Sequence, residues 1–362
     1  MTEIDKIQHT NYHSARIKYS EILSKSDKML PHRYCFILTN KCNLNCHFCF
    51  QERKGRKGSL NKDEWIDLIN QLPDYAHVTL TGGEPLVFKG FDEVFLKVTE
   101  KNTCNIITNG LLINDKFIDL FLSRSNFQVL SISIDDIGNK NRDVKSRQWE
   151  IMLDKINILN KKIEENKSNL ILDTKTVVLD SNAGGLFKTY RYLKEVLNCK
   201  THSFQILKGS PVQHADYTFE DNAIFDDYIA HKYENFDLIL QELEKVRLYN
   251  LQNGCTSYTH PNYVNLNSEE KIVDQIHSKL FNKTDHNAAQ FKSCKSPWAS
   301  MHINVEGTVY PCLAVDMGNV RDNTLKEIYF GSKYINFKNT ISKCGTVGAC
   351  NRCGYLEPLN SF

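Results

Sequence analysis

The chain has 362 residues, 41% of them hydrophobic and 24% charged, which is material for about two ordinary globular domains. Lys and Arg number 45 against 43 Asp and Glu, a balance that argues against a dedicated nucleic-acid or membrane-surface binder. No apolar run nears the roughly 18 residues of a membrane span. The opening residues Met1 to Lys6 show no secretory pattern and no glycine at position two, so a cytoplasmic location is expected.

Residues 1–30 are polar, with a short helix expected around Ser14 to Leu23, and read as an extension. Arg33 to Thr39 is strand-like. Asn61 then caps a helix, with Glu64 at its third position and Trp65, Leu68, Ile69 and Leu72 on one face. His77 to Thr81 is a strand, Phe91 to Glu100 a helix, and Thr103 to Thr108 and Leu130 to Ile134 are strands. Met152, Ile156, Leu159 and Ile163 recur at helical spacing. Strands at Leu170 to Val178 and Ser203 to Leu207 flank a helical segment near Tyr190 to Val196. Six strands alternating with helices indicate parallel β/α units, which carry their ligands at the carboxyl ends of the strands. From Pro211 the pattern changes. Phe225 to Leu248 reads as one long amphipathic helix, a polar stretch runs from Asn250 to Asn287, and a cysteine-bearing tail follows. The basic run Arg53 to Lys57 reads as a solvated loop.

Eight of the 12 cysteines fall in two groups, and clustered thiols in a cytosolic chain read as metal ligands. Lone cysteines (Cys35, Cys104, Cys199, Cys255) read first as small buried hydrophobes. Cys42, Cys46 and Cys49 form a C-x3-C-x2-C array directly after the first strand. Iron–sulfur cubanes take four cysteines as a rule, so three leave one iron open to bind a substrate atom. Zinc would want a fourth ligand, and His47, between two of the cysteines, would strain the loop to reach the same ion. Further along, Thr81-Gly82-Gly83-Glu84-Pro85 follows the second strand. Its glycines allow close backbone approach, and its carboxylate can accept a hydrogen bond from an ammonium group. Thr108-Asn109-Gly110 ends the third strand. In the fourth, alternation sends Ile132 and Ile134 to the helices, and Ser131, Ser133 and Asp135 into the barrel. Such a polar lining needs a ligand or water. Asp173, Lys175 and Gln205 share the inward parity.

With these elements in order, residues 33–210 resemble the radical S-adenosylmethionine (radical SAM) superfamily. Its hallmark is this cysteine spacing with an aromatic residue before the third cysteine, here Phe48. The resemblance implies an α/β fold with a partial (β/α)6 barrel. It implies that Cys42, Cys46 and Cys49 hold a [4Fe–4S] cluster whose open iron chelates the amino and carboxylate groups of SAM. It also implies SAM contacts from Gly82, Gly83, Glu84 and Pro85 and from Ser133, with Asp135 beside it. Asn109, Lys175 and Gln205 are assigned to cofactor, ribose or substrate contacts.

In the tail, Cys294, Gly307 and Cys312 give C-x12-G-x4-C, and Cys350 and Cys353 a C-x2-C pair. His302 to Tyr310 reads as a β-hairpin turning at Glu306-Gly307, which brings Cys294 and Cys312 together. Four thiols suit either zinc or [4Fe–4S], and chemistry alone does not choose. The tail resembles the SPASM/twitch extension of radical SAM enzymes, which implies an auxiliary [4Fe–4S] cluster. Five cysteines fit the shorter twitch form, with Cys344 either spare or a substitute for Cys350 or Cys353. The expected organisation is an extension (1–30), the barrel (31–215), a helical cap or linker (216–290) and a small auxiliary-cluster domain (291–362).

The resemblance further implies reduction by an external donor such as flavodoxin or ferredoxin, cleavage of SAM to a 5′-deoxyadenosyl radical, and abstraction of a substrate hydrogen. Net oxidation would pass an electron to the auxiliary cluster, whereas epimerisation would need a hydrogen-donating thiol, for which Cys255 is the candidate. The expected substrate is a ribosomally made peptide, to be crosslinked oxidatively or epimerised. Only 41 residues precede Cys42, too few for the complete leader-binding domain of many peptide-modifying members. Two alternatives are dehydrogenation or epimerisation of a small polar metabolite such as an aminosugar or cyclitol, and a zinc-stabilised binding protein that is no enzyme.

Overall fold

Apolar residues on one face of each strand find helices to pack on, and the outcome is a long, mostly parallel sheet. The computed structural model describes residues 12–26, 28–49, 58–207, 231–275, 277–283, 287–312, 315–347, 350 and 353–359. The basic run 53–57 and the first part of the expected long helix, 225–230, lie outside the described residues. In chain order the elements are α1 (Tyr12–Leu23), β1 (Arg33–Ile37), α2 (Lys62–Asn70), β2 (His77–Thr81), α3 (Phe91–Lys101), β3 (Thr103–Thr108), α4 (Asp115–Leu122) and β4 (Phe127–Ser133). Next come α5 (Ser146–Glu165), β5 (Ile171–Val178), α6 (Leu186–Glu195), β6 (Thr201–Ile206), α7 (Phe236–Asn253) and β7 (Tyr258–His260). The tail adds α8 (Ser296–Ala299), β8 (Ser300–Ile303), β9 (Val309–Tyr310), α9 (Leu325–Phe330) and α10 (Ser332–Cys344).

The strand order is β7-β6-β5-β4-β3-β2-β1-β8-β9. Every pair from β7 to β8 is parallel, whereas β8 and β9 run antiparallel. The core lies between sheet and helices. Tyr34, Phe36, Val78, Leu80, Ile106 and Ile132 meet Trp65, Val94, Phe95, Ile118 and Met152 there, all fully or nearly fully buried. The α2 capping box forms as its sequence predicts: Asn61 Oδ1 accepts from the Asp63 and Glu64 N–H groups, and Glu64 Oε2 accepts from Asn61 N–H at 2.8 Å. Cys35, Cys104 and Cys199 are buried, as lone thiols should be. Among the described residues no helix is long and apolar enough to cross a membrane.

Two expectations need correction. The long helix begins at Phe236 rather than Phe225, because residues 231–235 are not helical and Asp180 ties down their end: its Oδ1 accepts from the Glu234 and Asn235 N–H groups at 2.9 and 2.8 Å. Nor is it a cap. Ile239, Leu240, Leu243 and Val246 pack with Leu186 and Tyr190 of α6, and the chain then enters β7. Thus α7 is the outer helix of another β/α unit. The seventh parallel strand escaped the sequence pattern because three residues are too few to display a period.

The hairpin does form, with His302 opposite Tyr310 and Ile303 opposite Val309, and β8 docks along β1 so that the tail extends the barrel sheet. The chain after Cys353 then spans the gap between the end strands of the parallel series. Gly354 lies against His260 of β7, while the Tyr355 hydroxyl bonds Ser300 of β8 at 3.0 Å and accepts from Arg33 of β1. The tail thereby closes the partial barrel sideways.

Candidate active site

The three-cysteine loop leaves the carboxyl end of β1 and is fixed by its neighbour, the loop after β2. Gly83 N–H donates to Thr39 O at 2.6 Å and Glu84 N–H to Lys41 O at 2.9 Å. A Cβ at Gly83 would stand 2.4 Å from Lys41 O, and one at Gly82, whose φ is +152°, 2.5 Å from Thr39 O. The glycines are thus required by the close approach of the cysteine loop itself. Glu84 is wholly buried, and its carboxylate accepts from Thr108 Oγ1 (2.7 Å), Asn109 N–H (2.8 Å) and Leu86 N–H (3.1 Å). Burial pushes this carboxyl up to about 7 against those bonds. Instead of offering its side chain to an ammonium group, Glu84 staples the loops after β2 and β3 together and caps the turn Pro85–Val87.

Asn109 completes the connection: its Nδ2 donates to Asn43 Oδ1 at 2.7 Å and to Cys42 Sγ at 3.8 Å. Leu44 N–H also donates to Cys42 Sγ, at 3.4 Å. Hydrogen bonds of this kind stabilise a thiolate ligand. Cys46 is buried, and Cys42 and Cys49 are half-buried. His47 is exposed and meets Phe48 edge-on. Among the described residues no three His, Cys, Asp or Glu side chains converge on a single metal ion. Cubane ligands each hold a different iron, so their sulfurs need not converge in that way.

Below the loop, the lumen is polar as the alternation of β4 predicts. Ser131 and Thr201 donate to Asp173 at 2.6 and 2.7 Å, Lys175 Nζ lies 3.0 Å from Asp173 Oδ2, and Lys175 and Gln205 both donate to Ser203 Oγ, at 3.3 and 3.0 Å. Ser133 is half-buried at the level of Lys175. Asp135 differs from its expected role. Its carboxylate is fully buried, accepts from Val177 N–H at 2.7 Å, and faces the Arg142 guanidinium, with Nε 2.7 Å from Oδ2. It is spent inside the protein and does not reach toward a ligand.

Arg142 is the residue that the motifs missed. It ends a short 3-10 turn flanked by Asn139 and Asp143, both left-handed at φ 51° and 58°, and such loop geometry has no period to read. Gly138-Asn139 was the one local turn signal. Asn139 was missed as well. Its side chain binds Asp135 N–H and Ser133 O at 3.0 Å each, which fixes the end of β4.

Cys255 stands at the wrong end. It follows the Gly254 cap of α7 and precedes β7, which runs parallel to β6, so it lies at the amino end of the sheet while the three-cysteine loop lies at the carboxyl end. Lys194, one of the charges felt by this thiol, bonds the Cys199 and Lys200 carbonyls just before β6. A hydrogen-donor role for Cys255 therefore fails on topology.

The second group does assemble. Burial, and then the neighbouring Cys294, Cys353 and Cys312, push the Cys350 thiol well above its ordinary value. All four thiols are half-buried, and thiols grouped in this way are stabilised as thiolates by a cationic centre. Ser296 N–H donates to Cys294 Sγ at 3.4 Å and Val347 N–H to Cys350 Sγ at 3.5 Å. Cys344 is exposed at the end of α10 and is not among the thiols acting on Cys350. Cys294 and Cys312 pack on the β1 side of the core and Cys350 and Cys353 on the β6 and α7 side.

Two family models match the chain: the radical SAM superfamily over residues 36–175, and an iron–sulfur cluster-binding domain, SPASM, over residues 294–354. The chain is a radical SAM enzyme with a C-terminal SPASM domain. This radical SAM enzyme is 24% identical over 328 residues to the sporulation killing factor maturation protein SkfB of Bacillus subtilis, covering 89% of this chain and 70% of that protein. In fold it is similar to SuiB of Streptococcus suis bound to S-adenosylmethionine (TM-score 0.59, 17% identical, 90% of this chain and 72% of that one). It is also similar in fold to anSMEcpe with bound AdoMet and Cp18Cys peptide (TM-score 0.55, 18% identical, 89% and 86%). The cofactors of the radical SAM enzyme are therefore a [4Fe–4S] cluster, SAM and an auxiliary iron–sulfur cluster.

Proposed function

We propose that Cys42, Cys46 and Cys49 hold the SAM-binding cluster, that Cys294, Cys312, Cys350 and Cys353 hold the auxiliary cluster, and that the enzyme oxidatively modifies a ribosomally made peptide. The observation that carries this reading is positional. The three-thiol loop opens at the carboxyl end of a polar lumen, and the chain carrying two of the other four thiols walls that lumen between β7 and β8. The donor sets fit their groups, with N–H groups already aimed at Cys42, Cys294 and Cys350. When bound, these groups supply one-electron cleavage of SAM, removal of a substrate hydrogen atom as 5′-deoxyadenosine, and an exit for the second electron.

The protein's own residues orient and enclose. Gly82 to Pro85 hold the cysteine loop and present backbone beside it for the SAM amino group. Asn109 secures Cys42 and Ser133 lines the lumen. The Asp173, Lys175, Ser203 and Gln205 ladder supplies a fixed polar wall that needs little reorganisation when substrate enters. A small external one-electron donor such as flavodoxin or ferredoxin delivers the first electron. Oxidation is favoured over epimerisation because Cys255 lies at the end of the sheet opposite the three-cysteine loop, while a second thiol group is present to take up an electron. In that reaction the peptide would lose two hydrogens, one as an atom to 5′-deoxyadenosine and one as a proton, and the group held by Cys294, Cys312, Cys350 and Cys353 would take up the remaining electron. A peptide substrate is supported by the relatives: SkfB is a maturation protein, SuiB has been solved with its precursor peptide SuiA, and anSMEcpe with a peptide.

The test is anaerobic incubation of the full chain with dithionite and SAM, followed by co-expression with each short peptide encoded beside its gene. The expected results are 5′-deoxyadenosine and one peptide lighter by two hydrogens. A peptide of unchanged mass with an inverted residue would make the enzyme an epimerase, and no altered peptide in any pairing would remove the peptide reading.

A further inference from the structure

Arg142 is a buried cation that the barrel chemistry just described does not use. Its side chain is only 13% exposed and that of Asp135 is fully buried. The Asp135 carboxylate accepts from Val177 N–H, and its backbone N–H donates to Asn139 Oδ1, so both ends of the residue are fixed. The guanidinium also lies against the cysteine loop. Its carbon lies 5.3 Å from the centre of the Phe48 ring, and Phe48 sits between Cys46 and Cys49. Burial disfavours the charge on Arg142, and it is sustained first by Asp135 and then by Cys46 and Cys49. A buried pair of this kind costs desolvation and contributes little net stability, so stability alone does not account for it.

We propose that Arg142 is a positioned cation that raises the reduction potential of the cluster on Cys42, Cys46 and Cys49, with Asp135 both orienting it and moderating its field. The proposal rests on that cluster assignment. Reduction adds one electron to the cluster, and a positive charge fixed nearby at low local dielectric stabilises the reduced form more than the oxidised one. Net charge around the cluster is one of the terms that set such potentials. The flat guanidinium meets two demands that a lysine ammonium would not: it faces a carboxylate through two nitrogens and lies over an aromatic ring.

The experiment is a redox titration of the reconstituted full chain followed by electron paramagnetic resonance, the SAM-binding cluster being identified as the signal that SAM changes. Arg142→Gln should lower its ratio of reduced to oxidised cluster about tenfold at fixed potential, a shift of about 59 mV for one electron. Arg142→Lys should recover most of that loss. Asp135→Asn, which removes the counter-charge, should shift the same cluster in the opposite direction, and the auxiliary cluster should titrate unchanged in every variant. Opposite signs are the signature of a charge effect, since a simple loss of packing would move both variants the same way. Unchanged potentials with full iron content, or shifts of the same sign, overturn the proposal. Should Arg142→Gln fail to hold iron, Asp135→Asn decides alone: no positive shift overturns it. If the cluster assignment itself is wrong, the parent protein shows no SAM-sensitive signal, an outcome distinct from a signal that does not shift.

Discussion

The two cysteine groups reach their ends by opposite routes. The first lies within eight residues of one loop, and its surroundings arrange that loop: Gly83 and Glu84 hold its backbone, and Asn109 touches Cys42. The second draws Cys294, Cys312, Cys350 and Cys353 from across the tail, and needs the β8–β9 hairpin and the docking of β8 on β1 before its thiols meet. A local array is set mainly by spacing and a dispersed one by folding, so the first should fail through single contacts and the second through loss of the tail's packing.

The largest effect should come from the ligands. Cys42→Ala, Cys46→Ala and Cys49→Ala combined should abolish 5′-deoxyadenosine formation and halve the iron from about eight atoms, the content of two cubanes. Cys350→Ala with Cys353→Ala should also halve the iron, yet keep the SAM-sensitive resonance. Retention of all the iron in either variant would break the division into two sites.

Gly83→Ala comes next. Its Cβ would meet backbone 2.4 Å away, so the cysteine loop must shift, at a cost of about 2 kcal/mol by analogy with overpacked sites. Urea unfolding together with iron content measures it, and an unperturbed variant would mean that the loops are not interlocked.

Glu84 gives a smaller, pH-dependent effect. Its carboxyl is pushed up to about 7 from an ordinary value near 4.5. The folded state therefore binds the proton more tightly, and the associated stability is present below the ordinary value and is lost as pH rises through about 7. Between pH 6 and 8.5 the loss is about 1 kcal/mol. Glu84→Gln should flatten the stability profile over that interval. The smallest effect belongs to Cys255→Ser, which should change peptide turnover less than twofold, since the residue lies at the far end of the sheet.

The sequence made legible what is local or periodic. Strands β1 to β6 show as apolar runs, the α2 cap as Asn61 and Glu64, and the inward face of β4 as alternating serines. What stayed hidden depends on contacts between distant residues. The short β7 has no pattern of its own, and the sideways closure by Gly354 and Tyr355 rests on partners almost 100 and more than 50 residues away in β7 and β8. Arg142 lies in a loop whose form comes from two left-handed residues. The glycines of the Gly82–Pro85 element were legible as a close approach but not in what approaches, which is backbone of the cysteine loop. Similarly, the Asp135 and Glu84 carboxylates read as ligand contacts because burial and internal hydrogen bonding leave no trace in composition.

The most direct test is electron paramagnetic resonance of the dithionite-reduced Cys350→Ala, Cys353→Ala protein with and without SAM, in which only the cluster on Cys42, Cys46 and Cys49 remains. A signal that changes shape on adding SAM is the predicted result. An identical spectrum in both samples, with the iron of one cubane present, would contradict a three-thiol site with an iron open to SAM.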